Sequence, residues 1–214
     1  MALPSNKLIT INDRGARTAT TFGSLSQGGA NMVFIKKLTA SSSATLSFVD
    51  GASSVVLDNT YKEYVFTFKN IHPATDGANF QFQGNASGGS DYNETITSTM
   101  FMANHNEGGT TTQFGYEAGY DLAQGTGFQA LQSGGLIGNG NDECLSGQLT
   151  IYNPSSTVFV KHFIANTNQY SSYDYSINSF VAGYFNTTSA IDEIQFKMAS
   201  GNIDAGDICL YGIL

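Results

Sequence analysis

Apolar and polar side chains alternate with a period of two along much of this chain, most legibly between Tyr61 and Gln83. Tyr64, Phe66 and Phe68 share one parity and Glu63, Thr67 and Lys69 the other. An extended backbone therefore sends the aromatic rings to one face. Phe80 and Phe82 repeat the pattern against Asn79, Gln81 and Gln83. Between the two runs, Pro73 fixes φ and Asp76-Gly77 tolerates positive φ, which is the chemistry of a tight reversal. The pattern predicts a half-buried antiparallel pair of strands.

Similar short runs recur from Asn31 onward, separated by turn residues: NMVFIKKLTA, SATLSFV, KEYVFTFKN, ANFQFQG, ETITSTMFMA, SGQLTIYN, TVFVKHFIAN, SFVAGYFN, AIDEIQFKM and GDICLYGI. They predict about eight to ten strands. In TVFVKHFIAN and SFVAGYFN both parities carry apolar residues, which suits central strands covered on both sides or strands at a subunit contact. No segment holds a helical period over a useful length. The expected fold is all-β, an antiparallel two-sheet sandwich of jelly-roll type spanning residues 31–214. The stretch from Asn106 to Glu143 is the least patterned; one or two strands are expected there, near Thr112–Tyr116 and Phe128–Ile137. Residues 1–30 differ from the rest, being polar or small, and read as an extended N-terminal arm, with a frayed terminus as the alternative. Arg14 and Arg17 fall close together in it and are the candidates for anchoring it to a partner surface.

Composition narrows the partners. Charged residues make up 12% of the 214, against a usual fraction of about 25%, and there are 24 Gly and no Trp. Ser, Thr, Asn, Gln and Gly must then carry solubility. A net charge of -8 with only nine Lys and Arg argues against nucleic acid, because phosphate binding needs clustered cations. No apolar run approaches the roughly 20 residues that cross a bilayer, and MALPSNKLITINDRG lacks the apolar stretch of a secretion signal. Synthesis in a cytosol, without membrane insertion, is the expectation. Cys144 and Cys209 are too few for a disulfide framework; burial as reduced apolar residues and a single bridge are the two readings.

Candidate chemistry is sparse. Asp91 with Glu94, Asp142 with Glu143, Asp192 with Glu193, and Asp204 with Asp207 are close carboxylate pairs of the kind glycosidases use. Neighbours on a regular strand point to opposite faces, so solvated charge is the plainer reading. His72, His105 and His162 are too far apart for metal-ligand spacing, and His72, before Pro73, suits a local hydrogen bond. No cofactor motif is present, and no cofactor or metal is expected. The tyrosines of GYEAGYDL, Tyr116 and Tyr120, and of NQYSSYDYSIN, Tyr170, Tyr173 and Tyr175, are the candidate contact residues. Tyrosine brings large area at low rotamer entropy, whether to a subunit interface or to the face of a sugar ring. Packing within their own loops is the alternative.

Two segments carry a resemblance. YKEYVFTFKNIHPATDG is similar to a segment of small virion-associated β-sandwich proteins of tailed bacteriophages, common in marine phage genomes. AIDEIQFKMASGNIDAGDICLYGI resembles the closing β-hairpin of the same group, and SSTVFVKHFIA and FVAGYFNTTSAIDEI are similar to it as well. The resemblance spans roughly residues 31–214 and implies a non-enzymatic structural protein of the virion, made in the host bacterial cytoplasm, with no catalytic residues to carry over. It implies assembly with itself, as a homotrimer, and with other virion proteins, either the major capsid or the tail proteins. No long repetitive shaft precedes the sandwich, which favours capsid decoration or a head appendage. The alternative is a tail fibre or receptor-binding domain recognising host-surface glycans.

Overall fold

A computed structural model describes residues 32–133 and 136–214, which form thirteen strands and no helix. In chain order these are β1 (Met32–Thr39), β2 (Leu46–Val49), β3 (Glu63–Pro73), β4 (Phe80–Ala86), β5 (Ile96–Asn106), β6 (Thr112–Tyr116) and β7 (Ala123–Gly125). They continue with β8 (Gln129–Ala130), β9 (Leu145–Tyr152), β10 (Lys161–Tyr170), β11 (Tyr175–Phe185), β12 (Ile191–Met198) and β13 (Ile203–Ile213). The larger sheet runs β1-β13-β3-β9-β10-β11-β5-β6, with β7 added against β5, and the smaller runs β2-β12-β4-β8. Every pairing is antiparallel. The chain is thus all-β, with two antiparallel sheets in a sandwich.

All ten alternating runs are strands, and β6 has the bounds expected of it. Among the described residues of the second stretch expected to be extended, β8 is the strand that forms, together with isolated bridges from Ile137 to Ala78 and to Ser171. The three residues of β7 carry no alternation that could announce them, so the described strands number thirteen, above the expected eight to ten. Arg14, Arg17 and the whole of residues 1–30 lie outside the described residues.

One expectation is overturned. β3 and β4 are not paired: β3 lies between β13 and β9 in the larger sheet, whereas β4 lies between β12 and β8 in the smaller. The reversal at 74–79, with Gly77 at φ +67°, carries the chain from one sheet to the other. The two aromatic rows then face each other across the core, with the rings of Phe68 and Phe80 5.2 Å apart and nearly perpendicular. Period-two alternation says which face of a strand is apolar but not whether the next strand lies beside it or opposite, and both arrangements bury that face.

The closing segment behaves alike. β12 and β13 lie in different sheets, so the expected C-terminal hairpin is also an arch between sheets. The two arches support each other: the amide of Ala74 donates to the carbonyl of Asn202 at 3.0 Å, and that of Ala199 to Asn79 at 2.7 Å. The β1–β2 link joins them through reciprocal 2.8 Å bonds between Ser43 and Ile203. Gly201, at φ +69°, lies so close to Thr75 that a methyl group there would collide with its hydroxyl.

The core is a ladder of phenylalanines from the two facing sheets. Phe48 of β2 meets Phe66 of β3, Phe196 of β12 meets Phe66 and Phe68, and Phe82 of β4 meets Phe163 of β10 and Phe185 of β11, at centroid distances of 5.1–6.1 Å. Most of these contacts are edge-to-face, the arrangement the ring quadrupole favours. The loops between β4 and β9 are held by buried glutamines. The Gln83 side-chain amide donates to the carbonyls of Glu94, Thr126 and Gly127, and that of Gln129 donates to Tyr120 and Ala130 while its oxygen accepts from Ser98. Backbone that leaves the sheet ladder inside a protein needs such partners.

The outer face of the larger sheet differs from its inner face in kind. On β10, Lys161, Phe163, Ala165, Thr167 and Gln169 point inward and are buried, while His162, Ile164, Asn166 and Asn168 point out. Lys161 is a buried cation, its Nζ donating to the carbonyls of Phe159 and Thr187 at 3.0 Å, and burial pulls its pKa below the ordinary lysine value. Val158 and Phe159 precede β10 in an exposed turn, so the apolar residues of TVFVKHFIAN are not all strand positions.

Candidate functional site

Strand register divides the five candidate tyrosines among three places. Tyr116 pairs with Phe101, which pairs in turn with Phe180. Lateral partners share a face, so these rings stand together on the outside of the larger sheet. Phe101 and Phe180 stack at 4.9 Å, and Phe114 meets Phe101 edge-on at 5.8 Å. Phe114 is 75% exposed, Tyr116 57% and Ile164, three strands away on the same face, 51%. The Tyr116 hydroxyl donates to Asp121, and that bond raises the phenol's pKa. Tyr120 joins no exposed cluster; it is half-buried and packs against the core.

No outward position on β5, β6, β9, β10 or β11 is Asp, Glu, Lys or Arg. The outward residues are Thr97 to His105 on β5, Thr112 to Tyr116 on β6, Ser146 to Tyr152 on β9, His162 to Tyr170 on β10 and Ser176 to Tyr184 on β11, taken alternately. Charge returns toward β1, where Lys37 bonds to Asp207 at 3.3 Å. In a chain of net charge -8, five adjacent strands without an ionisable acid or ammonium group on one face form a distinct surface. Its edge strand, β6, carries neither Pro nor Lys, the residues that commonly blunt a free edge.

Tyr170, Tyr173 and Tyr175 lie at one end of this sheet, where the β10–β11 turn meets the β5–β6 hairpin. Two shallow depressions open there. One, of about 240 Å³, includes His105, Glu107, Asn168, Tyr170 and Ser176. The Tyr170 hydroxyl donates to Asp174 at 3.2 Å, and desolvation, with the charges of Glu107 and Asp174, pushes its pKa up to about 12. The other, of about 350 Å³, is lined by Asn104, Thr111, Gln113, Tyr173 and Tyr175. Asn104 and Gln113 are lateral partners across β5 and β6, and Asn104 also pairs with Ile177 of β11. The sequence gives no local sign of either amide, because only long-range strand register brings them beside the tyrosines.

One carboxylate of each close pair is occupied with structure. Glu94 accepts from the Ala86 amide at 3.0 Å, Glu193 from the Tyr92 hydroxyl at 2.7 Å, Glu143 from the Gly140 amide at 2.5 Å and Asp207 from the Thr39 hydroxyl at 2.6 Å. His72 bonds through Nε2 to the carbonyl of Gly140 at 3.1 Å, a structural hydrogen bond that reaches 68 positions along the chain rather than the local one its position predicts. Among the described residues no group of three or more His, Cys, Asp and Glu could hold a metal ion. Cys144 and Cys209 are free and half-buried, so the single-bridge reading is set aside, and burial raises the pKa of Cys144.

No protein-family model, curated protein or solved structure matches this chain.

Proposed function

We propose that this protein is a non-enzymatic structural component on the surface of a tailed bacteriophage virion, a capsid decoration or head appendage with a jelly-roll type sandwich. It works as a homotrimer anchored by residues 1–30, with Arg14 and Arg17 in contact with the major capsid protein. The likeness of Tyr61–Gly77 and Ala190–Ile213 to phage virion proteins supports the setting. The observation that carries the assembly role is the uncharged, aromatic outer face of the larger sheet. Five strands at about 4.8 Å spacing and about 30 Å of strand length give a surface on the order of 700 Å². That is close to the roughly 800 Å² per partner of a specific interface. Self-association of an acidic chain brings like charges together, and an uncharged contact face keeps that repulsion at a distance.

Antibody against the sandwich, applied to purified virions and viewed by negative-stain microscopy, tests the reading. Label spread over the icosahedral head supports decoration. Label confined to the tail moves the protein to adhesion or tail assembly, and particles without label overturn the virion role.

A further inference from the structure

We propose that the depression between the β5–β6 hairpin and the β10–β11 turn is a binding site for a neutral saccharide. The inference does not depend on where a particle carries the domain, or on the oligomer number. Its lining, Asn104, Thr111, Gln113, Tyr173 and Tyr175, contains no ionisable acid or cation. An anionic or cationic ligand would therefore meet no counter-charge, whereas amides and hydroxyls both donate and accept, as the hydroxyls of a sugar require. The volume of about 350 Å³ falls at the small end of ligand clefts, and the site is shallow, which suits the end or one unit of a longer glycan.

Two further observations point to a ligand. The first is Tyr173, 67% exposed yet carried on a turn with a fixed backbone. The Tyr173 amide donates to Ser171 Oγ at 3.3 Å, the Asp174 amide to the Ser171 carbonyl at 3.1 Å, and the Glu107 amide to the Asp174 carbonyl at 2.9 Å. Such a ring loses little freedom when a sugar face stacks on it. The second is Asn104, whose side-chain oxygen is buried and has no hydrogen-bond partner among the described residues. A buried acceptor without a donor is unfavourable, and a turn of the Asn104 amide that brings this oxygen to a ligand hydroxyl in the depression would relieve that cost. Tyr170, in contrast, has its hydroxyl engaged by Asp174 and lies in the other depression.

The test uses the full chain on an array of neutral, sialylated and sulfated oligosaccharides. Dissociation constants for the bound glycans are then measured by tyrosine fluorescence, free of tryptophan background because the chain has no Trp. Binding restricted to neutral glycans is expected. Tyr173→Ala should weaken it at least tenfold, Tyr173→Phe should stay within about threefold of the parent, and Phe114→Ala on the outer face should leave it unchanged, with circular dichroism the same for all three. Absence of binding across the array, preference for acidic glycans, or undiminished affinity in Tyr173→Ala each overturns the site.

Discussion

Phe196 faces five other phenylalanine rings, those of Phe48, Phe66, Phe68, Phe80 and Phe82, at centroid distances between 5.3 and 6.3 Å. It is fully buried and comes from the smaller sheet, while Phe66 and Phe68 come from the larger, so it joins the two layers. Rings held by so many neighbours cannot collapse into a vacated space without moving both sheets. Phe196→Ala should therefore cost about 3–5 kcal/mol, the range for large-to-small changes that leave a cavity. Val158→Ala, at a position 67% exposed in the turn before β10, should stay within about 0.5 kcal/mol. Urea unfolding of the two variants side by side measures the difference, and similar midpoints would show that the layers are not joined through Phe196. At this scale the sequence was legible: parity alone put Phe66, Phe68, Phe80 and Phe82 on shared apolar faces. It was silent on Gln83 and Gln129, buried polar residues whose partners are loop carbonyls remote in sequence.

Elements were easier to find in the sequence than to connect. Each strand with four or more alternating positions announced itself, while β7 and β8, three and two residues long, are too short for a period to exist. The β3–β4 connection read as a hairpin because its turn residues are those of one, and β12–β13 because the segment resembles the closing hairpin of phage virion proteins, yet both are arches between sheets. The choice between them lies in which strands compete for each edge. β3 has both its edges taken by β13 and β9, the latter more than seventy positions downstream, and no local signal contains that. The candidate sites divide the same way: tyrosine loops were visible in the sequence, whereas the outer-face cluster of Phe101, Phe114, Tyr116 and Phe180 exists only through the β11-β5-β6 order.

That cluster is tested at the level of the sheet. Phe101 and Phe180 are 38% and 39% exposed, so a polar replacement removes little from the interior of one chain. Phe180→Asp sets a carboxylate in the middle of the uncharged face and, in an oligomer, brings two or more such groups together. Sedimentation velocity should show the parent as a closed oligomer and Phe180→Asp as a monomer, with far-ultraviolet circular dichroism unchanged. An oligomer that survives the substitution would assign subunit contact to another surface.

For the whole molecule, low charge and high glycine content leave an acidic domain whose described core draws on side chains from Ala40 to Leu210. Residues 1–30 add length before that core begins, and their two arginines stand out in a chain of net charge -8. If the arm is the attachment device, folding and attachment are separable properties: the sandwich supplies one and the arm the other. Deleting residues 1–30 should then leave thermal unfolding within a few degrees of the full chain and the sedimentation coefficient that of the same oligomer, while incorporation into particles is lost. Replacing Arg14 and Arg17 together by alanine should reduce incorporation in the same direction if the arm attaches through its cations. Immunoblots of gradient-purified particles from cells expressing each variant read this directly. Truncated protein found in particles at the parental level would mean that the sandwich binds the shell by itself, and the uncharged sheet face would become the surface to test for that contact.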